Sequence, residues 1–174
     1  MIFWINGPYG VGKSALAEKM HEMNTYSFIF DAEEVGNAIR ENRPSSMFNG
    51  YIFEGYELWF TTIVSLLKEI TSKYDGDIYI PMTLVYKDSF DKIRKPLNES
   101  GIDIKHILLE SNYDVVHERI LARGEEEGCW CMENIDLCLD NQKSFSDVIR
   151  IESTCQSADE LIEKLKSKVR LSAM

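Results

Sequence analysis

Short apolar runs alternate along the chain with longer segments in which apolar residues return every three or four positions. Ile2-Phe3-Trp4-Ile5 reads as a buried strand, and Ala15-Leu16-Ala17-Glu18-Lys19-Met20 as good helix formers behind it. Tyr26 to Phe30 is a second buried strand ending at Asp31, and a helix from about Glu33 to Glu41 would turn Val35, Ile39 and Ala38 inward. Arg43-Pro44-Ser45-Ser46 stops that helix, and the stretch to Gly55 reads as loop or short helix. The longest helical pattern runs from Tyr56 to Lys73, where Leu58, Trp59, Ile63, Leu66, Leu67 and Ile70 recur at helical spacing.

Ile78 to Thr83 is the third strand, with Pro81 near its carboxyl end, where ladder donors are already being lost. A helix around Asp88 to Lys95, stopped by Pro96, leads to a fourth strand from Ile102 to Leu109. Asn112-Tyr113-Asp114 caps a helix through about Arg123, followed by a polar, acidic stretch from Gly124 to Gly128 and a short helix from Met132 to Lys143. Val148 to Ile151 is the fifth strand, and Ser157 with Glu160 forms a capping box at the start of the last helix. Strands separated by helices at these intervals predict an α/β fold, a single domain over residues 1–174 with a parallel sheet covered on both faces. Ligands of such sheets collect beyond the carboxyl ends of the strands.

That rim carries the strongest chemical signal. Gly7-Pro8-Tyr9-Gly10-Val11-Gly12-Lys13-Ser14 reads G-x-x-x-x-G-K-S between the first strand and the first helix, the setting a phosphate-binding P-loop requires. Its bare backbone lets successive N–H groups point at a nucleotide's phosphates, and the first helical turn adds its own exposed amides. Gly7, Tyr9, Gly10, Val11, Gly12, Lys13, Ser14 and Ala15 are therefore the expected nucleotide-binding residues, with Lys13 as a point charge and Ser14 as the magnesium ligand.

Asp31 follows the second strand on the same rim, either as a general base for a substrate hydroxyl, as a holder of magnesium through water, or as a helix cap. Arg119 and Arg123 are one helical turn apart, one expected over the nucleotide base and one toward the transferred phosphoryl; the competing reading is a solvated pair facing Glu118 and Glu125 to Glu127. Arg40 would reach an anionic group on the acceptor, and Thr83 would touch acceptor or magnesium-bound water, although a strand-end Thr is often structural. His21, His106 and His117 match no metal or nucleophile pattern. Motor and switch ATPases usually end a strand such as Ile78 to Ile80 with an acid; Pro81-Met82-Thr83 stands here instead, which favours a small kinase.

Composition narrows the partners. A hydrophobic content of 44% supports a proper core, while a net charge of −10 argues against nucleic acid, whose phosphates need surplus Lys and Arg. No window reaches the ~20 apolar residues of a membrane span and no signal peptide is apparent, so a cytosolic monomer or homodimer is expected. Cys129, Cys131, Cys138 and Cys155 lack the spacing and the neighbouring His of a zinc set and read as free thiols.

The opening Met1-Ile2-Phe3-Trp4-Ile5-Asn6-Gly7, the P-loop, Phe30-Asp31 with Glu34 and Gly36, Leu58-Trp59, Ile80-Pro81-Met82-Thr83 and, more weakly, Ile135-Asp136 together resemble the tunicamycin-resistance family of ATP-binding proteins, which is similar to the wider group of P-loop small-molecule kinases. The resemblance covers about the first 150 residues. It implies a three-layer kinase-like fold with strand order 2-3-1-4-5 and a mobile lid at about 124–145. It also implies nucleotide binding at Gly7, Gly12, Lys13 and Ser14 and a base role for Asp31. The lid departs from the kinase group: Gly124 to Phe145 contains Lys143 but no Arg and opens with three glutamates, so Arg123 alone would stabilise the phosphoryl, or transfer is slow. Trp130 either covers an uncharged or sugar-like acceptor or packs the lid. Two functions follow. One is phosphotransfer from ATP, with Mg2+, to a small hydroxylated acceptor of nucleoside-like, amino-sugar or tunicamycin type. The other is an ATP-binding protein that sequesters a nucleoside-like drug.

Overall fold

The computed structural model describes residues 1–47, 52–154 and 157–169. Five parallel strands, β1 (Ile2–Asn6), β2 (Ser27–Ile29), β3 (Asp77–Pro81), β4 (Ile104–Glu110) and β5 (Ile149–Glu152), form one sheet in the order β2-β3-β1-β4-β5. β1 is central, with Ile2 opposite Ile78 on one side and Ile104 on the other. The sheet has the expected order because each strand is followed by a helix that must cross a face before the chain returns in parallel.

Alternation along β1 divides the core. Ile2 and Trp4 point into a cluster with Ile78, Ile80 and Leu108, covered by α2 (Ala32–Glu41), α3 (Glu57–Thr71) and α4 (Lys87–Asn98). Phe3 and Ile5 point the other way, into a cluster with Tyr79, Ile107 and Ile151 beneath α1 (Lys13–Met23), α5 (Tyr113–Ala122) and α8 (Ala158–Lys168). Burial on both faces explains why the inner strands β1, β3 and β4 appear in the sequence as continuous apolar runs, whereas β2, expected to be buried, is an edge strand that leaves Phe28 exposed. The lid region holds two short helices, α6 (Trp130–Glu133) and α7 (Ile135–Gln142). Among the described residues no helix is long and apolar enough to cross a membrane.

Several elements differ in detail from the pattern. The helix expected to stop before Pro96 continues to Asn98, because Leu97 is fully buried in the core and that burial outweighs the one backbone bond proline removes near a helix end. Leu58 and Leu66 share the periodicity of α3 but stand 49% and 37% exposed, since Trp59, Ile63 and Leu67 already fill its inward stripe. Ala38 is exposed, whereas Gly36 is buried in α2. The helix expected from Met132 to Lys143 is interrupted at Asn134, whose side-chain amide donates to the Trp130 carbonyl. The capping box of Ser157 and Glu160 is formed as the sequence predicts. Cys129, Cys131 and Cys138 are free thiols; Cys155 lies outside the described residues.

Candidate functional site

The P-loop connects β1 to α1 at the carboxyl rim of the sheet. Gly7, Gly10 and Gly12 all have positive φ, at 143°, 79° and 107°. A β-carbon at Gly10 would fall 2.8 Å from the Val116 carbonyl oxygen, so α5 leaves no room for a side chain there. Among the described residues the amides of Gly10, Gly12, Lys13 and Ser14 have no backbone or side-chain acceptor. They line a cavity of about 280 Å³ together with Tyr9, Lys13 and Ser14 side chains. Unpaired N–H groups at a glycine loop and helix N-terminus fit a polyphosphate, and the exposed Ser14 hydroxyl in the same lining is an oxygen donor of the kind that would hold magnesium.

Lys13 folds back on its own loop, donating to the carbonyls of Gly7 at 3.0 Å and Pro8 at 2.9 Å. Burial pushes its ammonium down to about 8, an effect opposed by Cys138 and reinforced by Arg123. Tyr9 packs edge-to-face on Trp130 of the lid, with ring centroids 5.2 Å apart. Burial raises the Tyr9 phenol above its ordinary range, with Cys138, Cys131, Glu33 and Glu54 adding in the same direction. Of these, Cys131, Glu33 and Glu54 line the same cavity as Tyr9.

The loop is held from two sides. On one, the buried Asn6 accepts from the Gly7 amide at 2.7 Å and the Leu84 amide at 2.8 Å, and donates to the Leu84 carbonyl and to His106 Nε2. Thr83 donates to the Gly7 carbonyl at 3.0 Å. On the other, the buried Ser153 hydroxyl donates to the Val11 carbonyl at 2.7 Å, and Arg119 donates to that carbonyl as well as to Ser153 and Thr154.

The cavity brings together Tyr9, Gly10, Gly12, Lys13, Ser14, Arg40, Thr83 and Arg123 of the residues singled out in the sequence. Arg123, at the end of α5, reaches it with a guanidinium that makes no hydrogen bond or ion pair among the described residues. Arg40 stands with its guanidinium 4.5 Å over the Phe53 ring. Gly7, Val11 and Ala15 lie outside the lining, as does Arg119, whose side chain braces the loop from behind. Asp31 also lies outside it: Oδ1 accepts from the amides of Glu33 and Glu34 at 2.9 and 3.0 Å, the geometry of a helix cap.

Three carboxylates not proposed as site residues from the sequence line the cavity: Glu33, Glu54 and, in the segment after α5, Glu125. Glu33 extends from the first turn of α2, which Asp31 caps. Glu54 sits in a one-turn 3-10 helix (Phe53–Gly55) and accepts from the amides of Val85 at 2.6 Å and Tyr86 at 3.0 Å. Burial raises the Glu54 pKa, partly offset by hydrogen bonds from Ser89 and those two amides. Glu54 lies in a turn without periodicity, so no sequence pattern marks it; Glu33 was legible only as a residue two positions past a rim aspartate.

No known family model matches the chain, and no curated protein sequence does. Solved structures do. The Deinococcus radiodurans tunicamycin resistance protein superposes with a TM-score of 0.80 at 24% identity, over 98% of this chain and 96% of that one. A Bacteroides thetaiotaomicron shikimate kinase gives 0.63 at 14% identity over 98% and 99%, and a Sinorhizobium meliloti gluconokinase 0.61 at 16% over 93% and 87%. The chain thus has the P-loop kinase-like fold, with the strand order of its sheet unchanged.

Proposed function

We propose that the chain is a cytosolic, ATP-dependent phosphotransferase acting on a small hydroxylated acceptor of nucleoside-like, amino-sugar or tunicamycin type. The observation that carries this reading is a single cavity in which free P-loop amides, Lys13, Ser14 and Arg123 face carboxylates and Thr83 across about 280 Å³. The likeness to shikimate kinase and gluconokinase structures supports the reaction class, and the likeness to a tunicamycin resistance protein supports the acceptor class.

On this reading the loop amides cradle the β- and γ-phosphates, and Lys13 turns from the Gly7 and Pro8 carbonyls to phosphate oxygens. Ser14 would hold magnesium, which supplies neutralisation of phosphate charge. The acceptor oxygen bonds to the γ-phosphorus as the bond to the β–γ bridging oxygen breaks, releasing ADP. The hydroxyl proton passes to a carboxylate. Asp31 was the expected base and keeps Oδ2 for such a role, but Glu33 lines the cavity and Asp31 builds the helix end that presents it, so we assign the proton to Glu33. Arg123 balances charge on the phosphoryl group in transit.

The test is a screen of hydroxylated acceptors for ADP release and for a product heavier by one phosphoryl group, with Lys13→Ala as control. Absence of any such product across nucleosides, amino sugars and tunicamycin rejects the enzyme. The arginine-free lid favours a second reading, sequestration of a nucleoside-like drug with ATP as a structural ligand. That reading expects resistance to survive Glu33→Gln and Asp31→Ala but to vanish with Lys13→Ala.

A further inference from the structure

Sheet order divides the cavity. The P-loop and Arg123 belong to β1 and to the α5 side, whereas α2, the Phe53–Gly55 turn and the residues after β3 wall the opposite half. The phosphate-facing cations are Lys13 and Arg123; of the other charged groups in the lining, Glu125 belongs to the segment after α5, which leaves Glu33, Glu54 and Arg40 on the acceptor side. Arg40 lies on the Phe53 ring and is engaged within the protein. Glu54 is fixed in place by the Val85 and Tyr86 amides. A carboxylate offers about four lone-pair positions, so the two backbone bonds and the one from Ser89 still leave it able to accept from a ligand. Glu33, from the first turn of α2, and Glu54, from the Phe53–Gly55 turn, line the same cavity.

A wall of this kind accepts hydrogen bonds and repels anions. An acceptor bearing a carboxylate or phosphate would stand near two like charges with one arginine to offset them, whereas hydroxyl or ammonium protons would find acceptors already in position. We propose that this half of the cavity selects acceptors rich in O–H or N–H donors and free of anionic groups, with Glu54 as the specificity-determining residue. The proposal rests on the acceptor-binding reading of this cavity but not on phosphoryl transfer taking place.

Calorimetric titration of the whole chain, with magnesium and a non-hydrolysable ATP analogue, against three ligands of matched size tests it: a neutral sugar or nucleoside, an amino sugar and the corresponding sugar acid. The neutral and amino ligands should bind at least tenfold more tightly than the acid. Parity between them identifies hydroxyls as the recognised donors, and a tenfold preference for the amine identifies an ammonium group. Glu54→Gln should narrow the gap to the acid; because that carboxylate also holds two amides, Glu33→Gln, at an exposed helical position, serves as a second variant expected to narrow it too. An acid that binds as tightly as the others to the unaltered protein, or no binding by either donor-rich ligand, overturns the proposal. If a ligand bound in this order of affinity yields no phosphorylated product when ATP replaces the analogue, the transfer step falls and this proposal stands.

Discussion

Phe53 presses its ring against Gly36: a β-carbon on residue 36 would fall 2.5 Å from both Cδ1 and Cε1 of that ring. The same ring stacks on Trp59 and carries the Arg40 guanidinium, and its neighbour is Glu54. Gly36→Ala gains about 1 kcal/mol of helix propensity, yet the ring it displaces sits in the core, where overpacking costs about 1–3 kcal/mol. The expected outcome is a lower urea midpoint and weaker acceptor binding with nucleotide affinity nearly unchanged. A more stable variant would show that the ring yields freely.

Lys13 gives nucleotide affinity a pH dependence. Its pKa near 8 in the free protein means that it loses charge above that pH, while phosphates favour the ammonium form. Affinity should be flat below about pH 7 and then fall by up to about tenfold per pH unit above 8, with proton uptake on binding. Titration from pH 7 to 9.5 in buffers of different ionisation enthalpy measures both. Lys13→Arg should abolish the slope, and a flat profile in the unaltered protein would contradict the assignment.

Arg119 and Ser153 converge on the Val11 carbonyl, so both act on nucleotide binding without lining the cavity. Hydrogen bonds from a charged donor are worth about 1.5–3 kcal/mol each, so Arg119→Ala should weaken ATP binding by roughly tenfold or more. Arg119→Lys should rescue little of it, because one ammonium cannot span Val11, Ser153 and Thr154 as the fork does. Full rescue by lysine would indicate that charge alone matters there.

His106 shapes acid stability. Burial pushes its imidazole down to about 3, reinforced by Arg94 and Arg150, whereas the unfolded chain titrates near about 6.5. The unfolded state therefore binds the proton first, and the stabilisation present above about pH 6.5 drains away as pH falls toward 3, at up to about 1.4 kcal/mol per unit. His106→Gln keeps an acceptor for Asn6 Nδ2 and should flatten this limb in urea unfolding between pH 4.5 and 7.5. An unchanged slope would mean that other groups dominate.

The inner strands and most helices were legible because burial on both faces leaves uninterrupted apolar runs such as Ile2 to Ile5, and because Ser157 with Glu160 and Asn112 are caps that act locally. The glycine loop was legible for the same reason, since its backbone geometry depends on residues adjacent in sequence. Glu54 and Ser153 were not: each acts through a partner brought close by the sheet, 31 residues away for Val85 and 142 for Val11. Spacing placed Arg119 and Arg123 on one helical face, both toward the nucleotide, and only the turn after β5 separates a brace from a group that reaches the cavity.

Asn6 and Thr83 join the glycine loop to the segment after β3 through four hydrogen bonds among the Gly7 and Leu84 backbones. Those two walls move as one piece, so drift toward a new ligand has little scope there without disturbing the phosphate cradle. Diversification would fall instead on the α2 positions 33 and 40 and on the short turn at 53–55. Libraries aimed at changing what this scaffold recognises should be randomised at those positions, with Asn6 and Thr83 left untouched.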